Sequence, residues 1–569
     1  PVGALTDKVF QFKARAWEML ARPSLGYHDA GGANVWLHTL RGRVLRAVPR
    51  DNEAINECWL SDRDRYSHEG MYADDRVNTP LIKRDGQWHD ADWDAGLGAA
   101  ATILRDAGGD LGVLVQPAAS CEEGVLLARL AAAQGSSHID HRLRQLDFAG
   151  AAASAFSKPL HEVAAAKAAL LVGSQLRHEL PLFNSHVRKS VQAGAKVFAL
   201  NPQRFDFNFK LAHEWVVSAP TMLDQLLVLA AAAQSQEQQP EANLAAALKD
   251  VDVSDAARDA IQTLRAQEDS IVLLGHLAAM HPQASWLRAA ARFIAAATGS
   301  DYHEIPLGAN SVGLSRAGVL PGKDGLDARA MLEQPRKAYV LFGAEPPEDF
   351  ADGALLMQTL REAKVIAFAA FASEALKQVA DVILPIALLP ETDATLINLD
   401  GQIQSVGAAV SAPGSARPGW KVLRALGGQL QAPGFDFIDI AGLREQIAST
   451  IQTPLTSKPA QPLTERKSIP ANTLVRLASV PIYRGDALLR RAGALNAHTL
   501  SRPPSVAIHP DDAKRLQLAA NQQVLVDGSV ALPVLIDDSV CVGSAWIEYA
   551  HAQTAMLPPY GAVISLDKA

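Results

Sequence analysis

The sequence predicts an α/β protein: Rossmann-like parallel sheets flanked by helices, with a small irregular β region at the start and a β-barrel domain at the end. Three observations carry this. Short, nearly continuous apolar runs recur from about residue 91 onward, each bounded by Gly, Pro or Asn. Such runs mark strands buried on both faces. Ala/Leu-rich helical stretches lie between them, so the runs read as βαβ units. The last hundred residues then change to hairpin patterning.

Residues 1–80 hold strand signals at Val35–Leu40 and Val44–Val48 within otherwise irregular sequence. The apolar runs follow at Gly112–Gln116, Ala169–Val172, Lys196–Leu200, Ser270–Leu274, Ala338–Phe342, Lys364–Phe368 and Asp381–Pro385. Ser235–Asn243 is rich in Gln and Glu and reads as a surface connection. Thr453–Asn472 holds four prolines among polar residues and reads as a linker. His509-Pro510-Asp511-Asp512 opens a helix, with proline and acids in its first turn. Val524–Val526, the turn Asp527-Gly528 and Val530–Ile536 form a hairpin, and Pro533 places the second strand at an edge.

Composition excludes several classes. Net charge is −8, with no dense cationic face of the kind that displaces counterions from nucleic acid. The longest apolar stretch, around Leu226–Ala233, is far too short to span a bilayer. Cys58, Cys121 and Cys541 are widely separated, without CxxC spacing, and read as small buried hydrophobes.

The nucleotide motifs are absent or broken. No GxGxxG follows any strand. Gly318-Val319-Leu320-Pro321-Gly322-Lys323-Asp324 spaces its glycines one residue too closely for a P-loop and puts Asp where a Mg²⁺-binding hydroxyl belongs. It reads as a loop leaving a helix. His138 and His141, three apart beside Asp140, offer half a metal site with nothing to complete it, and Arg142 opposes a cation. Gly173, Gly275 and Gly343 each follow a strand, where open α/β sheets receive ligands. They are either tight turns or the rim of a cleft for a nucleotide-like ligand, and a nucleotide-binding module is one reading of them.

Ordered motifs carry a more specific resemblance. Ala169-Leu170-Leu171-Val172-Gly173-Ser174 with Glu179-Leu180-Pro181, then Ala380-Asp381-Val382-Ile383-Leu384-Pro385, Glu391–Thr395 and Asn398–Gln404, and finally Ala416-Arg417-Pro418-Gly419-Trp420, resemble the molybdopterin oxidoreductase family in sequence and order. Asn56-Glu57-Cys58-Trp59-Leu60-Ser61-Asp62 and Arg65–Gly70 resemble one branch of it, the large iron–sulfur subunits of respiratory complex I. Pro1-Val2-Gly3-Ala4-Leu5-Thr6 resembles the segment just after the last cysteine of a [4Fe–4S] site in that branch. The resemblance implies [2Fe–2S] and [4Fe–4S] clusters in a domain upstream of Pro1.

The same resemblance identifies where cofactor ligands are missing. Many relatives bind a further [4Fe–4S] cluster in the first region, and the ligand positions here hold Gly26, Asp29, Ala33 and Ser61. Gly and Ala have no ligating atom, and Asp and Ser offer hard oxygens to a site that wants four thiolates. Molybdenum enzymes of the formate dehydrogenase type place a Cys or selenocysteine at the position of Leu146, and often a His at that of Asp147. The implied division is a cluster-region remnant at 1–85, a first α/β domain at 86–148 plus 320–452, a second at 149–319, a linker at 453–472 and a barrel at 473–569. The expected role is a scaffold without catalytic, metal or cofactor residues of its own. It would serve an NADH:quinone oxidoreductase on the cytoplasmic face of a bacterial inner membrane. The expected partners are the flavin-bearing NADH dehydrogenase subunit and other hydrophilic-arm subunits. The alternative is an active molybdopterin oxidoreductase of the formate dehydrogenase type.

Overall fold

The computed structural model describes residues 6–150, 152–235, 238–454, 463–464 and 473–568. The opening motif at Pro1–Leu5 and most of the expected 453–472 linker lie outside the described residues. The chain divides into two compact units. One comprises Pro1–Leu143, Gly308–Leu455 and Ile482–Ser501; the other comprises Arg144–Leu307, Thr456–Pro481 and Arg502–Ala569.

The first unit opens with a three-stranded antiparallel sheet of β1 (Leu20–Leu25), β2 (Asn34–Leu40) and β3 (Arg43–Pro49). Val35, Leu37, Val44 and Ala47 turn into a core with Met71 and Phe371. Trp36 and His38, alternating with them, stay half-buried on the other face.

The main sheet of this unit gathers β4 (Leu81–Arg84), β5 (Gln87–Asp90), β6 (Leu111–Val115), β7 (His138–Asp140), β13 (Ala338–Phe342), β14 (Lys364–Ala369) and β15 (Val382–Pro385). Their order is β5-β4-β15-β14-β13-β6-β7. β15, β14, β13, β6 and β7 run parallel, and β4 joins β15 antiparallel. Every residue of β6, β13 and β15 is buried, which is why those runs are continuously apolar. The helices Trp93–Ala107, Cys121–Ala133 and Gly353–Arg361 pack on the sheet. Each starts at a polar cap: Asp92 accepts from the N–H of Ala95, Ser120 from Glu123 and Asp352 from Leu355. β16 (Ala394–Ile397) and β17 (Ile403–Val406) form a separate ribbon.

The second unit has an all-parallel five-stranded sheet of β8 (Ala168–Val172), β9 (Lys196–Asn201), β10 (His213–Val216), β11 (Ser270–Leu274) and β12 (Asp301–Glu304), ordered β10-β9-β8-β11-β12. Its core packs Leu170, Val172, Val272 and Leu274 against Leu226, Leu264, Leu287 and Ile294. Full burial of each such side chain contributes roughly 1.5–3 kcal/mol.

The remaining strands of this unit are β18 (Leu474–Leu477), β19 (Val506–Ile508), β20 (Gln523–Val526), β21 (Val530–Ile536), β22 (Ser544–Trp546), β23 (Val563–Ile564) and β24 (Leu566–Lys568), ordered β23-β18-β22-β19-β21-β20-β24. The two end strands are separated in sequence by Ser565 alone, so the sheet returns on itself as a near-closed barrel. His509 caps the helix Pro510–Leu516, and Asp527 and Gly528 both take positive φ in the hairpin turn.

Three expectations need correction. Pro533 does not mark an edge, because β21 lies between β19 and β20. Within β21 it is Val534–Ile536 that pair with β19, so the proline stands just outside that ladder. Cys58 is exposed rather than buried, in the irregular stretch after β3, where Glu57 takes positive φ. Gly318–Asp324 is a loop leaving the helix Ser311–Arg316, as expected. His138 opens strand β7 rather than lying in a loop, and His141 follows the strand; their Nδ1 atoms meet the Leu326 N–H and the Val319 carbonyl.

Candidate functional site

The four cluster positions come together in the first unit, around a residue that the family resemblance does not single out. The N–H of Gly26 donates to the carbonyl of Ala33 at 2.7 Å. Asp29 pairs with Arg63 at 2.7 Å. Ser61 caps the helix Asp62–Tyr66 and donates its hydroxyl to Asp64 at 2.8 Å. The Asp64 carboxylate lies so close to Gly26 that a Cβ there would collide with it. Burial and then the charge of Asp29 push the Asp64 pKa up to about 6. One sequence signal was available: Ser61-Asp62-Arg63-Asp64 is a capping pattern, which puts an acid one turn from the serine.

A [4Fe–4S] cluster does not fit these residues. The space beside Gly26 is taken by a carboxylate, and the four positions supply no thiolate. Among the described residues no group of three or more His, Cys, Asp or Glu is arranged to hold a metal ion.

A cavity of about 820 Å³, part of it open to solvent, sits at the carboxyl ends of β6, β13 and β14. Gly343 turns there with positive φ, and Phe342, Phe371 and Leu388 supply apolar walls. The charged groups at the cavity are the carboxylates of Glu123, Glu345 and Asp486. Glu345 is held below the usual range: burial works against its charge, but Arg490 and Arg491 outweigh it. The helix Cys121–Ala133 aims its amino end here, yet Glu123 folds back on it and accepts from the N–H and hydroxyl of Ser120 at 2.9 and 2.8 Å. A phosphate-bearing pterin would meet these carboxylates at a helix end that already holds its own anion.

Gly173 and Gly275, in the second unit, are packed closely against neighbouring residues. A Cβ on Gly173 would strike Ala278, and one on Gly275 would strike Ser174. Close packing explains both. Glu179, from the family-like motif, ties these strand ends together. It accepts from the Ser174 hydroxyl at 2.8 Å and from the N–H groups of Gln175 at 2.9 Å and His276 at 3.1 Å. Burial raises its pKa to about 7.

Leu146, in the second unit, packs against an apolar cluster that includes Leu277, Met280 and Tyr549. Asp147 beside it accepts from the N–H and hydroxyl of Ser285 at 2.8 and 2.6 Å, in the first turn of the helix Ala284–Thr298. A leucine in an apolar cluster and a carboxylate spent on a helix end provide no molybdenum ligand.

A family model described as molybdopterin oxidoreductase matches residues 76–429, more than half of the chain. The chain belongs to the molybdopterin oxidoreductase family. A second model, for the 4Fe-4S domain of NADH-ubiquinone oxidoreductase NDSU1/NuoG-like proteins, matches residues 22–69 of this family member, so a cluster-type domain lies within the chain itself. Similar proteins include the mitochondrial NADH dehydrogenase [ubiquinone] iron-sulfur protein 1 of Solanum tuberosum, 27% identical over 86% of this chain and 63% of the relative. A subunit of the NADH-quinone oxidoreductase of Rickettsia felis is 26% identical over 76% of this chain and 59% of its own length. The family member thus spans about three fifths of these curated relatives. Acetylene hydratase from Pelobacter acetylenicus shares the fold, with a TM-score of 0.72 and 13% identity over 96% of this chain and all of that one.

Proposed function

We propose that this chain is the redox-silent body of the large iron–sulfur subunit of an NADH:quinone oxidoreductase. The observation that carries the reading is Asp64, seated among Gly26, Asp29, Ala33 and Ser61 where a cluster would need space and thiolates. The complex I relatives support it, since their names describe subunits of that oxidoreductase. Electrons in the whole protein would run through [2Fe–2S] and [4Fe–4S] clusters outside this chain. The body here would exclude water and hold neighbouring subunits in register, because cluster potentials depend on burial and hydrogen bonding. Its partners would be the flavin-bearing subunit and other hydrophilic-arm subunits, at the cytoplasmic face of a bacterial inner membrane. Among the described residues no helix is long and apolar enough to cross a membrane. The five-part division at residues 85, 148, 319, 452 and 472 belongs to the same reading.

Anaerobic reconstitution with iron and sulfide tests it: the purified chain should show no thiolate-to-iron visible absorption and no cluster resonance after reduction. A stoichiometric cluster signal would sink the reading. About one molybdenum per chain, after expression in a host that makes the pterin cofactor, would favour the formate dehydrogenase-type alternative.

A further inference from the structure

The loop Gly26–Ala33 is bonded to a segment far along the chain. His28, between two of the ligand positions, directs Nδ1 to Asp486 Oδ2 at 2.7 Å, and the two side chains are 1% and 10% exposed. Asp486 also accepts from the N–H groups of Leu488 and Leu489 at 3.0 Å each, which fixes the short turn Leu489–Arg491. Three more acids of the same lobe reach the segment Ile482–Ser501. Asp62 accepts from the Tyr483 hydroxyl at 3.2 Å, Glu69 accepts from the Ala494 N–H at 2.7 Å, and Asp75 pairs with Arg491. All of these residues belong to the first unit.

We infer that Asp64 and the loop Gly26–Ala33 form an ionic clasp that has taken over the cross-linking role of a [4Fe–4S] cluster and blocks its return. A cluster would tie positions 26, 29 and 33 to position 61 through four iron–sulfur bonds. Asp29–Arg63 and the close seat of Asp64 against Gly26 tie the same two segments without iron, and the Ser61 hydroxyl holds Asp64 in that seat. His28–Asp486 then extends the tie to Ile482–Ser501. Restored thiolates would have to share their space with a buried carboxylate that already resists ionisation. Thiols alone therefore do not recreate the site.

This rests on the reading that the four positions are counterparts of cluster ligands, so one arm of the test is independent of it. In the full chain, Gly26→Ala should lower the melting temperature. Adding Asp64→Ala should recover part of that loss, leaving the double variant more stable than the two single losses predict. Additive losses overturn the claim that Asp64 fills the space. The second arm places Cys at positions 26, 29, 33 and 61, with and without Asp64→Ala, and measures iron content and visible absorption after anaerobic reconstitution. The four-Cys protein should stay nearly iron-free, and the version lacking Asp64 should take up about four irons. Full loading of the four-Cys protein alone overturns the clasp, as does refusal by both versions. A cluster in the unmodified chain would instead overturn the proposed function.

Discussion

His28 Nδ1 meets Asp486 Oδ2 at 2.7 Å across 458 positions of sequence. Burial works against the imidazolium, but Asp486 and Asp64 outweigh it, so the His28 pKa rises from 6.5. Burial likewise works against the Asp486 charge, and His28 outweighs that, holding the carboxyl at about 2. Stability from His28 is present in full below 6.5 and fades as pH rises through its higher folded value. Stability from Asp486 is present above 3.8 and fades as pH falls through about 2. Asp486→Asn should therefore cost roughly 3 kcal/mol near pH ~5.5 and less near pH ~8.5. Urea midpoints at the two pH values check this; equal losses would show that the bond is not ionic.

Glu179 should make the chain less stable as pH rises. Its folded pKa of about 7 lies above the ordinary 4.5, so the fold favours the protonated acid. That advantage is complete below 4.5 and lost as pH climbs through about 7. Glu179→Gln removes the titration but sets an amide against donors that now meet a carboxylate. Denaturation across a pH series should show a flatter profile and lower stability at acid pH, while an unchanged slope would clear Glu179 as the cause.

The three thiols should react in a fixed order. Cys58 is exposed and should be alkylated first. Cys541 is half-buried, with burial pushing its thiol up to about 11, and should follow slowly. Cys121 is buried, its thiol raised far above the ordinary range mainly by burial, and should react only on unfolding. Peptide mapping after timed alkylation reads the order directly, and early labelling of Cys121 would contradict the core packing around it.

Arg476 should be the most sensitive site in the barrel. Its side chain is fully buried and donates to the carbonyls of Leu557 and Thr554 at 3.0 Å each and of Pro558 at 2.5 Å. The ring of Tyr549 lies 4.7 Å from its guanidinium. Arg476→Met leaves several buried carbonyls without a donor and should cost roughly 3 kcal/mol or more. Denaturant titration measures that cost, and a loss below about 1 kcal/mol would mean that the loop closes without it.

The sheets were legible because their chemistry is one-dimensional. A strand buried on both faces, such as Ser270–Leu274, reads as an apolar run, and its observed bounds match the run residue for residue. Pro533 misled because the proline rule sees a missing donor but not where the neighbouring ladder begins. Cys58 misled because a general preference for buried thiols ignores local chain direction. The Asp64 network was hidden for a different reason. Its partners come from the first 75 residues and from Ile482–Ser501, and no local pattern announces that those segments meet. The excursion of Ile482–Ser501 into the first unit left no signal that periodicity could find.

The strand order of the seven-stranded sheet sets a timetable for synthesis. β6 ends at Val115, yet its neighbour β13 begins only at Ala338. All five strands of the parallel sheet between Ala168 and Glu304 leave the ribosome in that interval. β6 must therefore wait, with the edge strand β7 on one flank and the other unpaired, while a complete sheet forms downstream of it. Long-range pairing of this kind is slow and exposes strand edges to other chains. The nascent chain should be most prone to aggregate, and most in need of a chaperone, while the residues between β7 and β13 are being made.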